Sequence, residues 1–236
     1  YYAENFETIA ENARDIQPQI FVSVPRIFER VIEKFYAAGE KLTGSKKKIF
    51  DLSIKIAEKY ELNGANGLWY ELQRKVCDKL VYSKWRAAFG GKLVCIVSGG
   101  AALNPKIERV FSCAKITLLQ GYGMTETSVV IAANCFGEGN IKFGTVGPVL
   151  SGVKVKIAEE DGEILMKGPN LMMGYYKNPE ATAEAIDSEG WFHTGDVGML
   201  VDNKFLKITD RKKELFKTSA GKYISPVAIE NKLKEC

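Results

Sequence analysis

The chain has 236 residues, 46% of them hydrophobic and 26% charged, an ordinary globular composition that can bury the core of one large domain or two smaller ones. With 33 Lys and Arg against 29 Asp and Glu the net charge is only +4, too slight to point to nucleic acid as a partner. Five scattered cysteines, Cys77, Cys95, Cys113, Cys135 and Cys236, contain no Cys-x-x-Cys pair, which argues against a zinc site or a disulfide framework and for a reducing, cytoplasmic setting, and no apolar run approaches the ~20 residues of a membrane span.

In chain order, Phe6, Ile9, Ala10 and Ala13 recur at helical spacing, and Pro18 ends that helix before a short apolar strand, Ile20 to Val24. Pro25 suits a first helical turn, and Ile27, Phe28, Val31, Ile32 and Phe35 then mark the apolar face of a second helix. The pattern breaks from Gly39 to Lys48. Lys46, Lys47 and Lys48 could meet anionic lipid in a peripheral membrane contact, but adjacent lysines also read as the solvated start of the next helix, which carries Ile49, Ser53, Ile56, Ala57 and Tyr60. After the loop Asn63 to Gly67, residues Leu68 to Phe89 predict one long helix closed by Gly90 and Gly91.

Leu93 to Val97 is continuously apolar, as in a strand covered on both faces, and Asn104 with Pro105 forms an N-cap followed by proline at the first helical position. With the next apolar run, Ile116 to Leu119, this gives a strand, helix, strand unit of parallel type, an α/β arrangement with a mostly parallel sheet flanked by helices. From Gly137 the texture changes to short alternating runs, Val153 to Ile157, Glu163 to Lys167, Val197 to Val201 and Phe205 to Ile208. They predict a small antiparallel, barrel-like subdomain with hairpin turns at Asp161-Gly162 and Asp202-Asn203 and one short helix over Pro179 to Ile186. A last hairpin, Leu215 to Thr218 with Tyr223 to Ile224, and a helix capped by Ser225-Pro226 would begin a C-terminal α+β domain. The divisions expected are residues 1–136, 137–210 and 211–236.

The stretch Gln120 to Ser128, Gln-Gly-Tyr-Gly-Met-Thr-Glu-Thr-Ser, is the candidate site. It follows a buried strand, at the edge where open α/β sheets bind ligands. Gly121 and Gly123 let backbone approach a ligand, and Tyr122 between them can offer a flat face to a heterocycle. Thr125 supplies a hydroxyl for a phosphate oxygen and Glu126 a carboxylate for a hard cation such as Mg²⁺. On these residues alone a structural β-turn capped by Thr125 stays open.

The wording resembles the Gly-Tyr-Gly-x-Thr-Glu signature of the AMP-forming adenylating enzymes. Ser98 to Leu103 is similar to that family's adenine-side loop, Gly190 to Asp196 to its ribose segment and Asp210 to Glu214 to its hinge, in the family's order. Val24 to Arg30 and the Lys-rich helical stretch after it resemble the long-chain fatty acid–CoA ligase branch. The resemblance implies an ATP-dependent acid–thiol ligase that makes an acyl-adenylate from a fatty acid and passes it to CoA. Gln120, Gly121, Tyr122 and the backbone of Gly99, Gly100 and Ala101 would then hold the adenine, Thr125 the α-phosphate and Glu126 the metal. Asp196 would accept from the ribose hydroxyls with Arg211 beside it, and Lys213 and Lys217 would flank the hinge. Residues 218–222 resemble a glycine-rich loop near the CoA thiol, with Ala220 where a second glycine is usual. The resemblance puts His193, the one histidine, on a strand beside the ribose site rather than in the role of a base, because an ionised acid has no proton to give up. The chain starts Tyr1-Tyr2 and contains no Gly-rich, Lys-bearing phosphate loop, so it reads as a piece of a longer ligase and is expected to be inactive alone. A peptide-synthetase or aryl-acid relative and a non-catalytic nucleotide-binding module are the alternatives.

Overall fold

The computed structural model describes residues 1–5, 7–214, 216–217 and 223–224, and the chain divides into two compact units, Tyr1–Leu119 and Gln120–Cys236.

In the first unit α1 (Ile9–Ile16) leads to β1 (Ile20–Ser23), and α2 (Pro25–Glu40) starts at the proline whose missing N–H costs nothing in a first turn. The next helix, α3 (Gly44–Glu58), takes Lys46 to Lys48 into its opening turn, where Lys47 pairs with Glu40 and with Asp51 at 2.8 and 2.7 Å. The long helix foreseen over residues 68–89 is present but not uniform. It runs as α4 (Leu68–Cys77), a π-helical turn over Asp78–Tyr82, and α5 (Ser83–Ala88). Asp78 opens the π turn held by Arg86 at 2.6 Å and Lys115 at 2.7 Å; burial opposes its charge, but the two cations win and keep the carboxyl below its usual range.

The strand β2 (Cys95–Ser98) starts two residues later and ends one later than the apolar run suggested, because its register is set by parallel pairing with β1, Ile20 facing Cys95 through Ser23 facing Ser98. Asn104 caps α6 (Pro105–Cys113) by accepting from the Lys106 N–H at 2.8 Å. The core is aromatic: Phe28 meets Phe111 edge-on at 6.0 Å and Phe35 stacks on Trp85 at 4.9 Å. Tyr82, fully buried, donates its hydroxyl to the Ser53 carbonyl at 2.7 Å, so no polar atom of that ring is left unpaired. Among the described residues no helix is long and apolar enough to cross a membrane.

Next comes β3 (Thr117–Tyr122), which is longer than foreseen: Gly121 and Tyr122 are still strand, paired antiparallel with β4 (Ala132–Ala133) in the second unit. That unit is built on an antiparallel sheet of β5 (Gly147–Pro148), β6 (Lys154–Ile157), β7 (Glu163–Lys167), β8 (Phe192–Val201) and β9 (Phe205–Arg211), in the order β5-β9-β8-β7-β6. Between β7 and β8 lies α7 (Pro179–Ala185), capped by Asn178 through the Ala181 N–H at 3.0 Å. Asp202 and Asn203, at φ 53° and 52°, are the left-handed central residues of the turn between β8 and β9, closed by the Lys204 N–H on the Val201 carbonyl at 3.1 Å. Both strands exceed the predicted runs: β9 because its ladder with β8 continues to Asp196 facing Arg211, and β8 because it also pairs with β7 back to Phe192. Ile131, Ile164, Met166, Phe192 and Leu206 form the core of this unit, with Tyr122 and Met124 packed against it. The closing hairpin is β10 (Phe216–Lys217) with β11 (Tyr223–Ile224), antiparallel. The loop at 218–222 and the helix expected after Ser225 lie outside the described residues.

Candidate functional site

The site stretch leaves β3 at Gly123. A Cβ there would collide with the Val129 carbonyl, so glycine is what lets the chain fold back on itself. Thr125–Thr127 forms a 3₁₀ turn, and the residue that closes it is Thr127 rather than Thr125: its hydroxyl accepts from the Met124 N–H at 3.1 Å and donates to the Met124 carbonyl at 3.0 Å. Thr125 is thereby free of capping duty and exposed. Beyond the turn Val129 sits at φ 83°, a strained setting for a β-branched side chain, and it is exposed. Asn170 secures this backbone, donating to the Thr127 and Val130 carbonyls at 2.9 Å each, while the Met172 N–H donates to the Glu126 carbonyl at 2.8 Å. The Glu126 carboxylate, half-buried, accepts from the Tyr175 hydroxyl through one oxygen at 2.9 Å. That bond raises the Tyr175 phenol above its ordinary range.

Upstream, Gln120 is buried and donates to the Thr145 carbonyl at 3.3 Å through one N–H of its amide. Tyr122 donates its hydroxyl to Asp196 Oδ2 at 2.7 Å. Burial, helped by the Asp196 charge, pushes the Tyr122 phenol far above its usual range, so the proton stays on the tyrosine and the carboxylate accepts. Asp196, 6% exposed, meets Arg211 Nε at 3.3 Å with its other oxygen, the pairing set by the β8–β9 register. Tyr122, Asp196 and Arg211 are therefore brought together, three residues drawn from three strands. Each carboxylate oxygen retains lone-pair capacity for one more donor.

A second node was not visible in the sequence. Glu163, 4% exposed, accepts from the Gly195 N–H at 2.9 Å, from Lys212 Nζ at 2.9 Å and from His193 Nδ1 at 3.1 Å. Burial opposes its charge, but the Lys212, His193 and Gly195 bonds prevail and hold the carboxyl below its ordinary range. An ionised carboxylate can only accept, so His193 carries its proton on Nδ1. Lys212 also pairs with Asp161 at 2.6 Å, and these two bonds raise its ammonium pKa. It is thus Lys212, not the neighbouring Lys213, that fastens the segment after β9; Lys213 is exposed in a 3₁₀ turn over Lys212–Glu214. Lys217 enters β10 by its backbone. Gly99, Gly100 and Ala101 form the turn after β2 in the first unit, with Gly100 at φ 81°.

The sequence matches the family described as AMP-binding enzyme over residues 2–176. It is 38% identical over 221 residues to the long-chain-fatty-acid–CoA ligase FadD15 of Mycobacterium bovis, a match that covers 92% of this chain and 36% of that protein. It is 33% identical over 252 residues to the peroxisomal long chain acyl-CoA synthetase 7 of Arabidopsis thaliana, covering all of this chain and 35% of the relative. The chain thus spans about a third of the length of the curated relatives it matches. ATP-bound MatB from Rhodopseudomonas palustris superposes with a TM-score of 0.66 at 21% identity, covering 98% of this chain and 38% of that one, a likeness of fold.

Proposed function

Since this chain belongs to the AMP-binding enzyme family, we propose that it carries the nucleotide-holding part of an AMP-forming fatty acid–CoA ligase. In that reaction a fatty acid carboxylate oxygen attacks the α-phosphorus of ATP, the bond to the β-phosphate breaks, and pyrophosphate leaves. The thiol of CoA then attacks the acyl carbon, its proton goes to solvent, and AMP departs with the electron pair of the acyl–phosphate bond. The observation that carries the proposal is the Tyr122–Asp196–Arg211 group beside the Thr125–Thr127 turn. A phenol tied by its hydroxyl holds its ring at a fixed tilt, ready to stack on adenine at little entropic cost. Asp196 keeps acceptor capacity for a ribose hydroxyl, and Arg211 lies along the same edge.

Thr125, exposed and unencumbered, offers its hydroxyl to the α-phosphate, and Gly121 keeps the adenine-side role that its motif implies. Gly99, Gly100 and Ala101 keep the adenine-side role that their motif implies, and Lys213 and Lys217 the role of basic residues flanking a hinge. Mg²⁺ fits Glu126: one carboxylate oxygen is engaged by Tyr175 and, among the described residues, the other has no partner, and Mg²⁺ commonly takes one or two carboxylates with phosphates and water. When bound there it would neutralise phosphate charge as the leaving group develops. Acyl chain, CoA and the fatty-acid specificity follow the relatives' names rather than any contact in this chain. The test is acid-dependent exchange of labelled pyrophosphate into ATP by the full-length protein, run with fatty acids of graded length. Exchange that depends on a long-chain acid and falls in Asp196→Ala supports the reading; exchange only with amino or aryl acids, or none, overturns it.

A further inference from the structure

The first unit contains a cavity of about 450 Å³ enclosed by α2, α3, the π turn and α5, within the ~300–1,000 Å³ of small-molecule sites. Its wall is apolar and aromatic. Phe35 and Trp85 lie stacked along one side, nearly parallel at 5°, and Phe50, Ile49 and Leu42 along another. Gly39 allows this arrangement: a Cβ on it would collide with the Phe50 ring, so glycine on α2 is what lets that ring pack against the helix. The π turn widens the helix where Leu80 and Val81 face the cavity, and such turns concentrate at functional sites.

Charge at the cavity is of one sign. Lys46 and Lys84 line it, both are exposed, and among the described residues neither has an ion-pair partner, whereas the adjacent Lys47 is held by two carboxylates. Among the described residues no Asp or Glu lines the cavity. Long lysine stems can run along an apolar wall while their ammonium groups stay in water at its rim. A purely apolar ligand would leave both ammonium groups unused, and a small polar anion would leave the aromatic wall unfilled.

We propose that this cavity binds a single-chain amphiphile with an anionic head, its alkyl chain against Phe35, Phe50 and Trp85 and its carboxylate between Lys46 and Lys84. The site uses none of the nucleotide-holding residues and goes beyond the adenylation reading. Binding here needs neither ATP nor turnover.

The experiment is photolabelling of the full-length protein with a diazirine analogue of palmitate, without nucleotide, followed by peptide mapping. The expected adducts fall in residues 35–50 and 80–85, saturate with probe, and are competed by palmitate more than by hexadecanol. Lys46→Glu with Lys84→Glu should lower labelling of those peptides about fivefold, the effect of losing two exposed charge contacts, with adducts elsewhere and the melting temperature unchanged. Ala38→Trp, which fills the cavity, should abolish them; the exposed lysine pair keeps the test decisive if that variant folds poorly. Adducts only outside these segments, or equal labelling in the lysine double variant, overturn the proposal. Labelling that appears only with a photoreactive phosphatidylserine in vesicles also overturns it and assigns the face to a membrane. Because pyrophosphate exchange is read separately, either reading can fail while the other stands.

Discussion

Replacing Tyr122 with Phe removes one oxygen and tests whether the ring is held by its hydroxyl. The bond it loses is short, 2.7 Å, and ends on a carboxylate that is 6% exposed. A hydrogen bond to a charged group contributes ~1.5–3 kcal/mol, and an almost buried acceptor belongs in the upper part of that range because no water replaces the donor. Arg211 at 3.3 Å moderates the loss: its guanidinium still neutralises Asp196, though its side chain is largely exposed and screened. The expected cost is therefore about 2 kcal/mol. Urea denaturation of the full-length protein should show a lower midpoint with an unchanged slope. A double-mutant cycle with Asp196→Asn should return a coupling energy of ~1–2 kcal/mol, as residues in one hydrogen-bond network do. ATP affinity should fall far less in Tyr122→Phe than in Tyr122→Ala, which deletes the stacking face. A coupling energy within error of zero, or equal loss of ATP affinity in the two variants, would refute the argument that the hydroxyl orients the ring.

The remaining expectations concern the same unit. Glu163 has a folded pKa below its ordinary 4.5, so its contribution is present above that value and is lost as pH falls through the folded one; acid unfolding followed by fluorescence should show Glu163→Gln already destabilised at pH 7 and flatter in its acid limb, and an unaltered limb contradicts the node. Lys212, with a raised pKa, contributes fully below its ordinary 10.5 and loses that contribution at higher pH, so Lys212→Met should weaken the alkaline dependence of stability. Gly123→Ala should cost ~1–3 kcal/mol by forcing the turn off the Val129 carbonyl, and a melting temperature equal to the parent's would show that the turn adapts. Glu126→Gln should fold normally while raising the Mg²⁺ concentration needed for pyrophosphate exchange; a lowered melting point with the Mg²⁺ curve unmoved would make this side chain structural.

What the sequence disclosed follows from the range over which each feature is determined. Pro25 at a helix start, the Asn104-Pro105 cap and the Asp202-Asn203 turn depend on backbone chemistry within four residues, and each stands where its residue types place it. Strand ends were less legible because a neighbour decides them: Gly121 and Tyr122 are strand through pairing with β4, and Arg211 is strand through pairing with Asp196. The π turn was hidden inside a helical pattern that reads the same at 3.6 residues per turn, and of the two cations that pair with Asp78 there, Arg86 follows in the next helix while Lys115 comes from elsewhere in the fold. For the site, the motif identified the side chains but not their mutual bonds. Tyr122 and Asp196 are 74 positions apart, and Glu163 reaches Lys212 across 49. Nothing in a charge pattern distinguishes Lys212 from Lys213, yet the 3₁₀ turn after β9 makes one a buried carboxylate's partner and leaves the other in solvent. The β8–β9 register explains why Asp196 suits its proposed role: Tyr122 and Arg211 each engage one of its oxygens, which fixes the orientation of the carboxylate that a ribose hydroxyl would have to meet.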